Sequence, residues 1–284
     1  MNLGDPQEAP VNVKPSIAVG RALSLLDAFL YAGHTMSLTE LAQRTALPKS
    51  TAFRILGQLT VSGHVIRNGN QYRLGVKMFE LGNHFVHSRP TGLKEVAAPL
   101  LGDLFLHVGA TVGLSILEAW DVILVDQITS SRSRIVTPVV GGRAPALSTA
   151  SGKALIAFLD TEGRDRAIAW HIRQDRRSSH TVRHAGRLRS QLAEVRENGH
   201  SWACDEFSVG MSAAASPVLV NGRPIAAVSV SAATGRFDRH KAAAAVLRTS
   251  RLIATQFIRA RELAQDYSTD EMQWDIEDEF DRVS

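Results

Sequence analysis

The sequence predicts an α+β protein of two domains, a small winged helix-turn-helix followed by a larger domain of antiparallel strands with helices on its face. Three observations predict it. Two helical patterns separated by a four-residue break are followed at once by a hairpin signal, all within residues 37–74. Beyond residue 110, strand-like and helical runs succeed one another without the regular alternation of a parallel sheet. The chain has 284 residues, 44% hydrophobic and 21% charged, enough for about two domains of roughly 150 residues each.

Residues 1–15 hold three prolines, Asp5 and Glu8 and no apolar run, and read as a flexible arm rather than a signal peptide. From Ile17 the residues Ala22, Leu23, Leu26, Phe29 and Leu30 recur at steps of three and four, predicting a helix that ends near Gly33. Ser37-Leu-Thr-Glu40 is a capping box, in which hydroxyl and carboxylate satisfy each other's free backbone N–H groups. Leu38, Leu41 and Ala42 give that short helix one apolar face. After a break at residues 46–49 containing Pro48, a third helix has Ala52, Ile55, Leu56 and Leu59 as its stripe.

The face opposite that stripe is centred on Ser50, Arg54 and Gly57, with Thr51 and Gln58 beside it. These side chains suit the major groove: Arg grips guanine with two donors, Gln reads adenine, and Ser and Thr donate or accept. Lys49, at the helix start, is placed for a phosphate. Phe53 lies off the stripe and either packs against a neighbour or meets a thymine methyl. Gly57 costs about 1 kcal/mol in a helix interior, a hint that something approaches closely there. Val65-Ile-Arg67 and Gln71-Tyr-Arg-Leu74 flank Asn68-Gly69-Asn70, a hairpin that forms the wing, with Arg67 and Arg73 set to reach a flanking backbone. An ordinary helical domain with a solvated basic face is the plain alternative.

Residues 76–91, with Met78, Leu81 and Phe85, suggest a linker helix, and Leu93 to Val108 another helix. Strands are expected at 111–117, 122–127 and 135–139, then two helices, a hairpin of 213–220 and 224–231 around Asn221-Gly222, and an Ala-rich helix from Asp238 to about Gln265. This divides the chain into the arm, a DNA-reading domain at 16–75, the linker, a second domain at 92–266 and an acidic tail at 267–284.

The net charge of +4 conceals its distribution. Residues 1–90 carry nine Lys/Arg and five Asp/Glu, and residues 267–284 one and seven. Residues 164–189 hold eight arginines against Asp165 and Asp175. A solvated basic face and a disordered tail are one reading of that pair; docking of the tail onto the basic region or the DNA-binding face is the other. One cysteine, Cys204, excludes a disulfide framework, and no apolar run approaches the roughly 18 residues of a membrane span. A cytoplasmic protein with no membrane contact is expected.

Enzyme signatures fail on inspection. A phosphate loop needs glycine at position 147, where Leu147 stands, and Ala154 occupies the Ser/Thr position. No Gly-x-Ser-x-Gly occurs, and Ser151 and Lys153 are two apart rather than three. His180 and His184 are four apart but lack a glutamate between and a third ligand, so no metal or other cofactor is expected. Cys204 reads as a small packed strand residue rather than a sensor. What remains is an anion site: Ser148 or Thr149 capping a helix through Ala154, Leu155, Phe158 and Leu159, with Gly152 leaving the first-turn N–H groups open to a carboxylate. An ordinary capped helix is the alternative.

Gly20-Arg-Ala-Leu-Ser-Leu-Leu-Asp27, Leu38-Thr-Glu-Leu-Ala42, Leu47-Pro-Lys-Ser-Thr51, Arg54-Ile-Leu56, Tyr72-Arg-Leu-Gly75, Ser151-Gly-Lys-Ala154 and Asp205-Glu206 to Gly210 occur in this order. In these motifs the chain resembles the IclR family of bacterial transcriptional regulators from about residue 16 to 262. The resemblance implies a winged helix-turn-helix joined by a linker helix to a GAF-like effector-binding domain, acting as a homodimer or dimer of dimers. It implies an effector pocket lined by Val136, Ala144, Ala150, Ser151, Met211, Ala213, Ser229 and Ser231, with Gly152 alongside. A cysteine common in the family is Ala213 here, and an acidic position of some members is Ala203. Both departures enlarge the pocket and make it more apolar, which favours an aromatic or partly hydrophobic acid over a glyoxylate-sized one. The expected function is a ligand-responsive regulator on palindromic operator DNA, more a repressor of a catabolic operon than an activator. Lys49, Ser50, Thr51, Arg54, Gln58, Arg67 and Arg73 would contact the DNA. The rival is a small-molecule enzyme or GAF-type sensor whose N-terminal domain serves only for dimerisation.

Overall fold

A computed structural model describes the backbone of residues 17–31, 35–88, 92–129, 138–174 and 178–280, and their side chains except at 31, 83–88, 174 and 264–280. The chain divides into two units, residues 1–86 and 87–284.

In the first unit, α1 (Ile17–Asp27) passes into a 3-10 turn at Ala28–Tyr31, followed by β1 (Met36–Ser37), α2 (Leu38–Arg44), α3 (Lys49–Val61), β2 (Val65–Asn68), β3 (Gln71–Leu74) and α4 (Val76–Ser88). Ser37 caps α2 as its spacing demands: its hydroxyl accepts from the Glu40 N–H, and the Glu40 carboxylate accepts from the Ser37 N–H at 2.7 Å. The bonds that this carboxylate accepts from the Ser37 N–H and hydroxyl hold it below the usual carboxylate range. Leu41, Ala42, Ala52, Ile55 and Leu56 bury the facing sides of α2 and α3. The hairpin turns on Gly69, whose φ of 60° lies in the left-handed region that glycine enters without strain.

Two expectations need correcting here. Leu23 and Leu30 are exposed, and Leu25 is the fully buried residue of α1. The switch to 3-10 geometry at Ala28 advances the chain by 120° per residue instead of 100°, which takes Leu30 out of the phase of α1; Leu23 lies within α1, about 100° round the helix from Ala22. The hairpin is also one part of a three-stranded sheet, β1-β3-β2, because Met36 and Ser37 pair with Tyr72 and Gln71. A two-residue strand leaves no periodicity to read.

The second unit begins with α5 (Leu93–Val108) and continues through β4 (Thr111–Glu118), β5 (Asp121–Ile128), β6 (Arg143–Pro145), a 3-10 turn at Ala146–Ser148, α6 (Ala150–Ile156), α7 (Thr161–Gln174), α8 (Ala185–Asn198), β7 (Ser201–Cys204), β8 (Met211–Val220), β9 (Arg223–Ala233) and α9 (Arg239–Phe280). The six strands form an antiparallel sheet in the order β6-β5-β4-β9-β8-β7. Helices cover both faces rather than one. α5 and α9 close one apolar cluster with Val112, Leu114, Val228 and Val230, while α6, α7 and α8 close another with Ala213, Ala215 and Ala227. Strand alternation thus sends large residues to the α5–α9 side and small ones, Gly113, Ser115, Ala213 and Ser229, to the other.

The strand expected at 135–139 lies partly outside the described residues, and Pro138 and Val139 are not in a strand. α9 does not stop near Gln265. Its backbone stays helical to Phe280, so residues 267–280 of the acidic segment extend α9 instead of forming a disordered tail.

Candidate functional site

The first candidate surface is the outer face of α3 with the wing. Lys49 opens α3 and is exposed, as are Ser50, Arg54 and Gln58, and Thr51 is half-buried. A Cβ built at Gly57 would meet no protein atom within 4 Å, so nothing in the protein's own packing asks for glycine there. Arg67 lies with its guanidinium 5.6 Å from the Phe53 ring centroid and 5.7 Å from that of Tyr72, and its Nε donates to the Gly69 carbonyl at 3.0 Å. Phe53 therefore packs under an arginine of the wing and keeps 49% of its surface exposed. Arg73, across from Ile66 on the outer side of β3, is exposed.

The second is a cleft in the other unit, between the small-residue side of the sheet and the start of α6, with an empty volume of about 600 Å³ including its open mouth. The structure brings together Ala144, Ala150, Ser151, Met211, Ala213, Ser229 and Ser231 along its wall. Thr111, Gly113 and Ser115, at alternate positions of β4, line it too, as do Gln127, Ala203 and Phe207. Val136 lies outside the described residues. Among the described lining residues no side chain is ionised, and the polar groups are hydroxyls and the Gln127 amide. The alternation Thr111-Val-Gly113-Leu-Ser115 was the signal available in the sequence for the β4 wall.

Gly152 is not on that wall. Thr149 caps α6 by accepting from the Gly152 N–H at 3.0 Å, so this donor is not open to a ligand. A Cβ on residue 152 would stand 2.1 Å from the Ala146 carbonyl oxygen, so its smallness serves the packing of α6 on the preceding turn. α6 also ends at Ile156, before Phe158 and Leu159.

Behind the cleft lies an ion pair that sequence reading missed. Lys153 Nζ, on a side chain 1% exposed, stands 2.6 Å from Glu206 Oε1 and donates to the Trp202 carbonyl at 3.2 Å. Burial pulls the Lys153 ammonium down from its ordinary pKa, against the opposing effect of Glu206. Glu206 Oε2 is buried and has no hydrogen-bond partner among the described residues. Next to it, Asp205 (φ 57°) accepts from the Thr234 hydroxyl at 2.8 Å and the Gly210 N–H at 2.7 Å. These two bonds, the hydroxyl's foremost, hold its carboxyl below the usual range.

Other readings change with the geometry. His180 and His184 sit on a non-helical segment, where His184 caps α8 by accepting from the Arg187 N–H at 3.4 Å. Among the described residues no group of three His, Cys, Asp or Glu could hold a metal ion, and no helix is long and apolar enough to cross a membrane. Cys204 is exposed rather than packed, because β7 is the edge of the sheet and Cys204 its last residue.

Residues 18–69 match the IclR helix-turn-helix domain, and residues 86–256 match the C-terminal domain of the bacterial transcriptional regulator IclR. The regulator XynR of Escherichia coli is 31% identical over 224 residues, covering 78% of this chain and 88% of the relative. The transcriptional repressor IclR of the same organism is 29% identical, covering 76% and 80%. A crystal structure of an IclR homolog from Microbacterium hydrocarbonoxydans, complexed with 4-hydroxybenzoate, superposes with a TM-score of 0.77 at 24% identity, covering 86% of this chain and 99% of that one. These relatives are regulators and not enzymes, which sets the enzymatic alternative aside.

Proposed function

Since the chain belongs to the IclR family of bacterial transcriptional regulators, we propose that it represses a catabolic operon and is controlled by an aromatic or otherwise partly apolar organic acid. The observation that carries the ligand class is the lining of the cleft. A cleft walled by Leu124, Phe207, Met211 and alanines, with hydroxyls and the Gln127 amide as its polar groups, suits a ring with a polar end. A two-carbon acid would leave most of that apolar wall uncovered. The Ser151, Ser229 and Ser231 hydroxyls along that wall are the proposed seat of the carboxylate. The 4-hydroxybenzoate bound by the Microbacterium homolog is of this class.

On the DNA side, Lys49, Arg67 and Arg73 make phosphate contacts, and Ser50, Thr51, Arg54 and Gln58 read bases in each half of a palindromic operator bound by a dimer or dimer of dimers. Arg67 is held over Phe53 and Tyr72, which fixes the wing against α3 and presents its cation from a set position. An effector that binds better in the arrangement unsuited to DNA shifts the equilibrium by its differential affinity, about 1–3 kcal/mol of coupling.

The test has two arms. A thermal-shift screen of benzoates, phenylacetates and two- or three-carbon acids should give its largest shifts among the aromatic acids, and tight binding of glyoxylate or pyruvate alone would refute the ligand class. In gel shifts with the protein's own upstream DNA, Arg54→Ala should flatten base preference while Lys49→Ala weakens all sequences alike; both variants binding as wild type would refute the DNA assignment.

A further inference from the structure

Burying an ion pair is a costly way to fill space, since a well-packed apolar pair of similar volume is as stable or more so. What the pair adds is direction. Lys153 Nζ makes two bonds, to Glu206 Oε1 at 2.6 Å and to the Trp202 carbonyl at 3.2 Å, and such bonds fix distance and angle far more tightly than apolar contact does. Both ends of this tether border the cleft. Lys153 follows Ala150 and Ser151 on α6, while Trp202 and Glu206 each adjoin a lining residue, Ala203 and Phe207.

The segment that carries Glu206 and Phe207 is itself closed into one piece. Asp205 accepts from the Gly210 N–H and the Thr234 hydroxyl, and its own N–H donates to the Met211 carbonyl at 2.8 Å. The Thr181 hydroxyl donates to the Glu206 carbonyl at 2.8 Å from the α7–α8 connection. A change in the Lys153–Glu206 distance therefore moves Phe207 with the whole turn, not one side chain.

We propose that Lys153 and Glu206 are positioning residues that set the aperture of the effector cleft, holding the Ala150–Ser151 wall and the Ala203–Phe207 wall at one separation. The proposal rests on the reading of this cleft as the effector site, and its test separates the two. The full chain is compared with K153M/E206L, which replaces the pair by apolar groups of similar size, and with E206Q, which keeps the shape and removes the charge. Three quantities are measured: the melting temperature, hydrogen exchange of residues 149–157 and 201–211 against residues 223–232 as an internal control, and affinity for 4-hydroxybenzoate as the probe.

The double variant is expected to melt close to wild type, while exchange at 149–157 and 201–211 and the Kd for the probe each rise about tenfold and exchange at 223–232 stays unchanged. E206Q should move the same two segments in the same direction. Wild-type exchange at both segments in the double variant would overturn the proposal. So would a double variant that fails to fold, because the pair would then be carrying stability and not aperture. Should the wild-type protein ignore the probe and every aromatic acid, the ligand reading falls, and the exchange measurement still decides the positioning role.

Discussion

Replacing Gly152 by alanine should lower the melting temperature of the second unit without touching DNA binding. The added Cβ would stand 2.1 Å from the Ala146 oxygen, 2.3 Å from its Cα and 2.4 Å from its carbonyl carbon. Relief requires two backbone segments to part by about 1 Å in a region with no slack. Ala146, Leu147, Ala150 and Ala154 are all at most 2% exposed. Overpacking of this kind costs about 3 kcal/mol at the upper end of its usual range, and the better helix propensity of alanine returns about 1 kcal/mol. The net loss of about 2 kcal/mol, in a unit of this size, corresponds to a drop of about 4–8 °C. Scanning calorimetry of the full chain measures it, with operator affinity at 20 °C as the control expected to stay constant. An unchanged or higher melting temperature would refute the packing argument. Unchanged melting together with selective loss of effector binding would return Gly152 to the ligand site.

Gly57→Ala reverses the logic: the open surroundings of residue 57 predict a gain of up to about 1 kcal/mol in stability, with a loss of operator affinity in gel shifts where DNA needs the space. Asp205→Asn should destabilise at pH 7 and have a smaller effect at pH 3 in thermal unfolding. The depressed folded-state pKa of Asp205 makes its contribution complete above the unfolded value of about 3.9 and removes it only as pH falls through the lower folded value; equal effects at both pH values would contradict this. Truncation after Ala264 removes the acidic extension of α9 and tests its docking on the arginine-rich 164–189 region: altered oligomer size or DNA affinity, by light scattering and gel shift, is the outcome that docking requires.

What could be read from the sequence was local. The Ser37–Glu40 box, the turns at Gly69 and Asn221-Gly222 and the stripe Ala52, Ile55, Leu56 depend on neighbours within a few residues, and each stands where its spacing puts it. What was lost depends on partners far along the chain. Lys153 and Glu206 are 53 residues apart, and neither carries a sign of the other. The lack of room at residue 152, where a Cβ would stand 2.1 Å from the Ala146 oxygen, is a property of how a 3-10 turn meets a helix, and periodicity cannot show it. Cys204 was misread because sheet order, and hence which strand is the edge, is set by tertiary pairing alone. For the cleft, Ala144, Ala150, Ala213 and Ser229 came from the resemblance to a known family, and the β4 wall of Thr111, Gly113 and Ser115 from the fold, although its alternation was there to be read.

The small residues along the cleft have a consequence for how such a regulator diversifies. Gly113, Ser115, Ala203, Ala213, Ser229 and Ser231 sit on strands whose opposite-facing neighbours pack into a separate core with α5 and α9. A single codon change can add a methyl or exchange a hydroxyl on the cleft side while the Val and Leu residues of the other side stay in place. The residues proposed to read the operator lie elsewhere, on α3 and the wing in the first unit. On the proposed function, descendants can therefore acquire a new effector while keeping their operator, or a new operator while keeping their effector, by drawing on two sets of positions that share no residue.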